Sequence, residues 1–386
     1  MKTAIVLSGG GAKGAYQIGV WKALKKLNIN YDIVTGTSVG ALNGVMMVQK
    51  DYKVAFDFWR KISYEKIFGK DFYKINKNIY ANYINEFVKK GGSDPINLEK
   101  TLNQVFNPQK FYSSPIDYGI VVYNFSKLKP ELLVKKNLKE ETIKDYIIAS
   151  AACYPAFKMK KIKDEKYIDG GYFDNMPINL AIDLGADKII AVDLKAVGIK
   201  RKIKDSNKEI VEITPKNDVG SFLDFNESLA QKNIKFGYND TMKTYQKLRG
   251  DKFTFNLKIY DFFIKNVENK YKKILDNLKI KDSQKILKVL EYAGKIFELD
   301  ESKIYFLNFY NGNLKKKFKK QKSLDNKIIL DKIKKKEIKS LLDSKYIVKY
   351  VYDLLKKGIS TREINALYFI AKKETLVAIY LFAIGC

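Results

Sequence analysis

Short apolar runs ending in glycine or proline alternate with longer stretches of helical period through the first two-thirds of the chain. The first run, Thr3-Ala4-Ile5-Val6-Leu7, is cut off by Ser8-Gly9-Gly10-Gly11. It falls short of the roughly 7–15 apolar residues of a secretory signal and has no cleavage site after it, so it reads as a first β-strand. Positions 15–26 place Ile18, Val20, Trp21 and Leu24 at helical spacing. A second strand around 32–35 and an apolar helix after Ser38 complete a β-α-β-α opening, which predicts a parallel sheet with right-handed crossovers. Residues 51–110 read as mostly helical, with Phe56, Phe58, Trp59, Ile62 and Phe68 recurring on one face. Such a stripe reads as core, with a pocket for an apolar chain as the alternative.

Further strands are predicted at 118–124, 167–169, 187–193 and 210–213, and helices at 142–150, 179–184 and 226–248. Beyond Phe255 strand signals become sparse and Lys-rich helical periodicity takes over. A boundary near 255 follows, giving units 1–255 and 256–386. In the second unit Ile264, Val267, Tyr271, Ile274, Leu275 and Leu278 form one stripe, and Ile286, Leu290, Ile296 and Phe297 another. Gly358 suits a helix end, and Ser360 with Glu363 a capping box. The apolar segment from Leu376 to Cys386 is too short to span a bilayer and is expected to be a docked final helix. No run reaches the ~20 apolar residues of a membrane helix.

With 386 residues, 46% of them hydrophobic, the chain can bury one large core or two moderate ones. Its formal charge of +29 peaks around Lys315–Lys322 and Lys334–Lys336. A field of that sign attracts nucleic acid or an anionic membrane surface, although a Lys-rich helix face can be merely solvated. Cys153 and Cys386 form no disulfide or metal framework, which fits a reducing compartment. There is no histidine. A Ser-His-Asp triad and a His-ligated metal are therefore excluded within the chain, and a nucleophilic serine must take a carboxylate or lysine as its base.

One candidate serine stands out. Gly36-Thr37-Ser38-Val39-Gly40 matches G-x-S-x-G between a predicted strand and helix, the setting of a nucleophile on a sharp turn. The run Gly9-Gly10-Gly11-Ala12-Lys13-Gly14 permits two readings once a P-loop is excluded by the missing Gly-Lys-Ser/Thr. As G-x-G-x-x-G it could be a dinucleotide turn, but Asp32 lies at the wrong end of the second strand to hold a ribose. As a loop of backbone N–H groups at a helix start it could hold an oxyanion, with Lys13 adding positive field. Both loops would follow parallel strands and share one sheet edge. For the base, Asp169 ends a strand before Gly170-Gly171, with Asp174, Asp187 and Asp193 as rivals.

Taken together, Gly9–Gly14, Gly36–Gly40 and Asp169-Gly170-Gly171 resemble, in order and spacing, the three signature blocks of the patatin-like phospholipases. Ala149–Phe157, Asn175-Met176-Pro177 and Ile213-Thr214-Pro215 are similar to further family segments, so the resemblance runs from residue 1 to about 250. Residues 256–386 match nothing comparable. The resemblance implies a three-layer α/β/α sandwich with a mostly parallel sheet, plus the helical C-terminal region. It implies a lipid acyl hydrolase with Ser38 as nucleophile and Asp169 as its partner. Gly9, Gly10 and Gly11 would form the oxyanion hole, supported by Lys13, Gly36, Gly40 and Gly170. The expected substrate is a phospholipid or glycerolipid, with no metal or cofactor and no nucleic-acid partner. The expected location is cytoplasmic with peripheral contact to an anionic membrane, the oligomeric state being left open. The alternative is a basic nucleic-acid- or membrane-binding protein whose α/β domain is inactive; a nicotinamide oxidoreductase rests on the glycine spacing alone.

Overall fold

The computed structural model describes residues 1–69, 92–256, 260–321, 343–358 and 361–386. The chain divides into two compact units, Met1–Thr244 and Tyr245–Cys386.

The first unit is built on a mostly parallel sheet. Its strands are β1 (Thr3–Leu7), β2 (Ile33–Gly36), β3 (Asp117–Asn124), β4 (Lys129–Val134), β5 (Lys160–Ile162), β6 (Glu165–Asp169), β7 (Lys188–Val192) and β8 (Glu209–Ile213). β3, β2, β1, β7 and β8 run parallel in that order, while β4 and β6 pair antiparallel to β3, and β5 to β6. Side-chain alternation covers both faces. Ala4, Val6, Ile33, Ile189 and Ala191 pack with helix Ile178–Asp183 on one face. On the other face Val34 and Tyr118 meet Gly44 of helix Val39–Val48, and the Tyr118 hydroxyl donates to the Ala41 carbonyl at 2.7 Å. The result is an α/β/α sandwich.

The helices of this unit are α1 (Ala15–Lys26), α2 (Val39–Val48), α3 (Tyr52–Trp59), α4 (Tyr64–Phe68), α5 (Ile96–Val105), α6 (Pro108–Ser113), α7 (Glu140–Ser150), α8 (Ile178–Asp183) and α9 (Glu227–Thr244). α1 and α9 touch backbone to backbone: a Cβ on Gly19 would stand 1.9 Å from the Ile234 carbonyl oxygen, and one on Gly237 2.0 Å from that of Tyr16. Of the helical stretch expected over 51–110, residues 70–91 lie outside the described residues.

One register detail positions the chemistry. β4 holds one edge of β3 over Gly119–Asn124, so β2 and β6 share the other edge in succession. β2 ends with Gly36 opposite Ile120, and β6 arrives from the opposite direction to end with Asp169 opposite Val122. Only Val121 separates the two strand ends. An antiparallel strand thus delivers its last residue to the carboxyl end of a parallel one.

The second unit has a small sheet, β9 (Leu248–Arg249), β10 (Thr254–Asn256) and β11 (Ile304–Tyr305), with helices α10 (Tyr260–Asn277), α11 (Ile286–Ile296), α12 (Leu307–Lys319), α13 (Ser344–Lys356), α14 (Thr361–Ile370) and α15 (Lys372–Ala383). The division falls before residue 255 because β10 pairs with β9 on one side and β11 on the other. For the same reason α9 stops at Thr244 rather than continuing to Leu248. In α15, Leu376 to Leu381 are wholly buried, and the helix packs against α10, α11, α13 and α14. That central position explains a segment apolar on every side. Gly358, with φ +63°, follows α13 as a left-handed cap. Ser360 and the run at 334–336 lie outside the described residues, as does the side chain of Ile264. No helix among the described residues is long and apolar enough to cross a membrane.

Candidate active site

Ser38 sits between β2 and α2 with φ 57° and ψ −126°, a conformation L-residues rarely adopt. Holding a serine there costs on the order of 1–3 kcal/mol, which the surrounding packing must over-determine. Two glycines make the bend possible by close approach. A Cβ on Gly36 would lie 2.3 Å from the Gly40 carbonyl oxygen, and one on Gly40 2.2 Å from that of Leu7. The Ser38 amide donates to Ser150 Oγ at 3.0 Å, and Ser150 Oγ donates to the Val121 carbonyl at 2.7 Å. Ser150, at the end of α7, thereby bridges the one-residue gap between the ends of β2 and β6. It is wholly buried and was not among the expected site residues.

Asp169 is buried; its carboxylate accepts from the Gly171 amide at 2.7 Å and lies beside the Ser38 side chain. Burial pushes its pKa up to about 6, against the opposing pull of those two groups. Gly170 is needed for clearance: a Cβ there would stand 2.1 Å from the Val121 carbonyl oxygen. Asp174 is also buried and also pushed up to about 6, but its carboxylate accepts from the Met176 amide at 3.1 Å. Titration alone does not separate the two aspartates; contact with Ser38 does. The other rivals are engaged elsewhere, Asp193 in an ion pair with Lys200 and Asp187 with the Lys2 amide and the Lys208 ammonium.

The glycine loop closes the third side. A Cβ on Gly9 would stand 3.2 Å from Ser38 Cβ and 2.2 Å from Asn175 Oδ1. The Gly9 amide departs from the expectation that it faces an oxyanion. It donates to the Asn175 carbonyl at 3.0 Å, because the chain after Asp169 folds back over the end of β1. Among the described residues, the amides of Gly10, Gly11 and Val39 have no backbone acceptor. Val39 opens α2 directly after the serine, where an N–H aligned with the helix dipole was not anticipated. Lys13 lies half-buried in the 3-10 turn Gly11–Gly14. Asp32, at the opposite end of β2, accepts from the Thr3 amide at 2.9 Å, so the ribose-binding acid of a dinucleotide site is missing.

A model of the family described as patatin-like phospholipase matches residues 5–182. Over these residues the chain is similar to the patatin-like phospholipases. Lysophospholipase nte1 of Aspergillus terreus is 30% identical over 195 residues, which cover 50% of this chain and 12% of that protein. Patatin-like phospholipase domain-containing protein 7 of Rattus norvegicus is 25% identical over 207 residues, covering 50% and 13%. The chain thus aligns with about one eighth of the length of these curated relatives. The crystal structure of VipD from Legionella pneumophila aligns at a TM-score of 0.41 and 14% identity, over 100% of this chain and 90% of that one.

The first unit also holds an apolar cleft lined by Ser38, Leu42, Met46, Trp59, Leu102 and Phe157. Two members of the aromatic stripe expected as core line it, the buried Trp59 and the half-buried Phe58, as does the buried Ile67. Trp59 is held by a buried relay. Its Nε1 donates to Asn43 Oδ1 at 2.8 Å, Asn43 Nδ2 donates to Gln17 Oε1 at 2.7 Å, and Gln17 Nε2 donates to the Ser8 carbonyl at 2.8 Å. The cleft wall and the start of the glycine loop are therefore one hydrogen-bonded assembly. Trp59→Phe leaves Asn43 Oδ1 buried and unpaired, and urea denaturation is expected to register a loss of roughly 1–2 kcal/mol. An unchanged midpoint would mean the relay contributes nothing.

Proposed function

We propose that the chain is a lipid acyl hydrolase that cleaves carboxylic esters of phospholipids or glycerolipids through an acyl-serine intermediate. The observation that carries this is the Ser38 side chain set beside a buried Asp169 whose pKa is raised to about 6, in the lining of an apolar cleft. As Ser38 Oγ attacks the ester carbonyl carbon, Asp169 takes the hydroxyl proton. The developing oxyanion is held by the amides of Gly10, Gly11 and Val39. Collapse breaks the ester C–O bond, and Asp169 returns the proton to the leaving alcohol. Water then attacks the acyl-serine, giving its proton to Asp169; release of the fatty acid returns that proton to Ser38. The cleft, about 60 Å³ in volume, takes the part of the acyl chain next to the ester.

A carboxylate is an unusual base for serine. Burial brings Asp169 nearer the working pH, and direct contact removes the need for an intervening imidazole. With a base of pKa about 6, kcat/KM is expected to rise with pH up to that value and level off above it. The profile with a soluble fluorogenic ester tests this. A flat profile from roughly pH 4.5 to 8, which spans the titration, would remove Asp169 as the base. A fluorophosphonate probe provides the second test: it should label the wild type and leave Ser38→Ala unlabelled. Salt-dependent nucleic-acid binding with no labelling would instead favour the basic binding-protein alternative.

A further inference from the structure

The loops at the carboxyl ends of β1, β7 and β8 meet around Ser38, and one of them has a composition the catalytic proposal does not use. Residues 194–204 read Leu-Lys-Ala-Val-Gly-Ile-Lys-Arg-Lys-Ile-Lys, five cations and no acid interleaved with apolar residues. At its tip Val197 is fully exposed (102%), and Ile199 is half exposed. An aliphatic side chain held completely in water on a braced loop contributes nothing to the core.

The loop is braced against the site from both sides. Leu194 and Ala196 pack on Gly10, where a Cβ would meet Leu194 Cδ1 at 2.8 Å and Ala196 Cβ at 3.4 Å. The Ile199 amide donates to the Gly171 carbonyl at 3.0 Å, and the Asn175 amide donates to the Ile199 carbonyl at 2.6 Å. Further exposed apolar side chains continue the rim. Phe222 lies over Gly11 and accepts the Ala12 amide on its carbonyl at 2.8 Å, while Tyr172 follows Gly171 and its hydroxyl reaches the Tyr154 carbonyl. The nearby acids are engaged: Asp193 pairs with Lys200, and Asp224 accepts from the Tyr64 hydroxyl at 2.8 Å. Arg201 is spent on Phe173, stacking 3.8 Å from its ring centroid. Lys195 and Lys202 are exposed and, among the described residues, make no ion pair.

We infer that residues 194–204 are a lipid-docking loop: Val197 and Ile199 enter the interface of an anionic bilayer while Lys195 and Lys202 meet its head groups. This rests on the hydrolase reading for its purpose, since docking there sets the mouth of the Ser38 cleft at the lipid surface. Positive charge around an exposed aliphatic tip favours an anionic bilayer over a neutral apolar partner. The docking element then belongs to the catalytic unit and not to the Lys-rich second one.

The test is made in full-length Ser38→Ala protein, so that binding is read without turnover. The vesicles are phosphatidylcholine alone and phosphatidylcholine mixed with phosphatidylserine. Val197→Trp should show blue-shifted emission on the mixed vesicles and quenching by brominated lipid. Val197→Asp should weaken partitioning by about tenfold or more, and Lys195→Glu with Lys202→Glu should abolish the preference for mixed vesicles. Both sites are exposed, so unchanged melting curves confirm folding. Unshifted Val197→Trp emission, wild-type partitioning of Val197→Asp, or a surviving anionic preference in the charge-reversed protein would each overturn the docking loop. Failure of the hydrolase reading would show separately, as no fluorophosphonate labelling of the wild type.

Discussion

Ser38→Ala is expected to lower hydrolysis of a labelled phospholipid by on the order of 10⁴-fold or more, and Asp169→Asn by roughly 10²–10⁴-fold. The asymmetry follows from what each change removes. Without Ser38 Oγ there is no acyl-serine, and only water held near the glycine-loop amides remains as nucleophile. Without the Asp169 carboxylate the hydroxyl is still in place beside those amides, and the loss is that of a general base. On the proposed mechanism the two groups act as a unit, so the double variant should be no slower than Ser38→Ala alone. The measurement is initial rate on vesicle and soluble substrates, with circular dichroism to show that both variants fold. Ser38→Ala turnover within about tenfold of wild type would remove this serine from the mechanism.

Ser150→Ala should behave differently from either. It leaves the Ser38 amide and the Val121 carbonyl without their shared partner, so it acts on the position of the turn rather than on the proton. Ser150 illustrates what could and could not be read from the chain. The parallel β-α-β-α opening, the turn at Ser38 and the strand ending at Asp169 were all legible, because period, glycine spacing and strand ends are local signals. That β6 joins the same edge of β3 as β2 was not legible. It depends on a register between residues more than forty positions apart, and nothing in the sequence of β3 announces that its last three residues pair with a different strand from its first four. The occupied Gly9 amide escaped for a similar reason: its acceptor, Asn175, comes from a distant turn. The aromatic stripe around Trp59 was read as core, and Trp59, Ile62 and Phe68 are buried while Phe56 and Phe58 are half-buried; that Trp59 and Phe58 line a cleft with Ser38 is a matter of packing, not of periodicity.

Asp169→Asn carries a second expected consequence, opposite in sign to the first. The Asp169 pKa is raised from 3.8 to about 6 by burial, so between those values the folded protein holds a proton that the unfolded chain has released. Stability then falls as pH rises, by about 1.4 kcal/mol per unit, and the full penalty of roughly 3 kcal/mol is in place above pH ~6. Asparagine is neutral at every pH and of nearly the same shape, so the variant does not incur this penalty. It should match the wild type near pH 4 and exceed it by roughly 1–3 kcal/mol at pH 7–8, the lower figure allowing for imperfect pairing of the amide hydrogens. Asp174, raised similarly, is common to both proteins and cancels in the difference. Urea denaturation of the two proteins at pH 4 and pH 8 measures the effect. Equal stability at both values would show that Asp169 ionises without penalty, and would remove the physical reason for its raised pKa. A gain that appears only at the higher pH, in a protein that has lost its turnover, would mean that the group tuned to take a proton from Ser38 is held in its charged form against the stability of the fold.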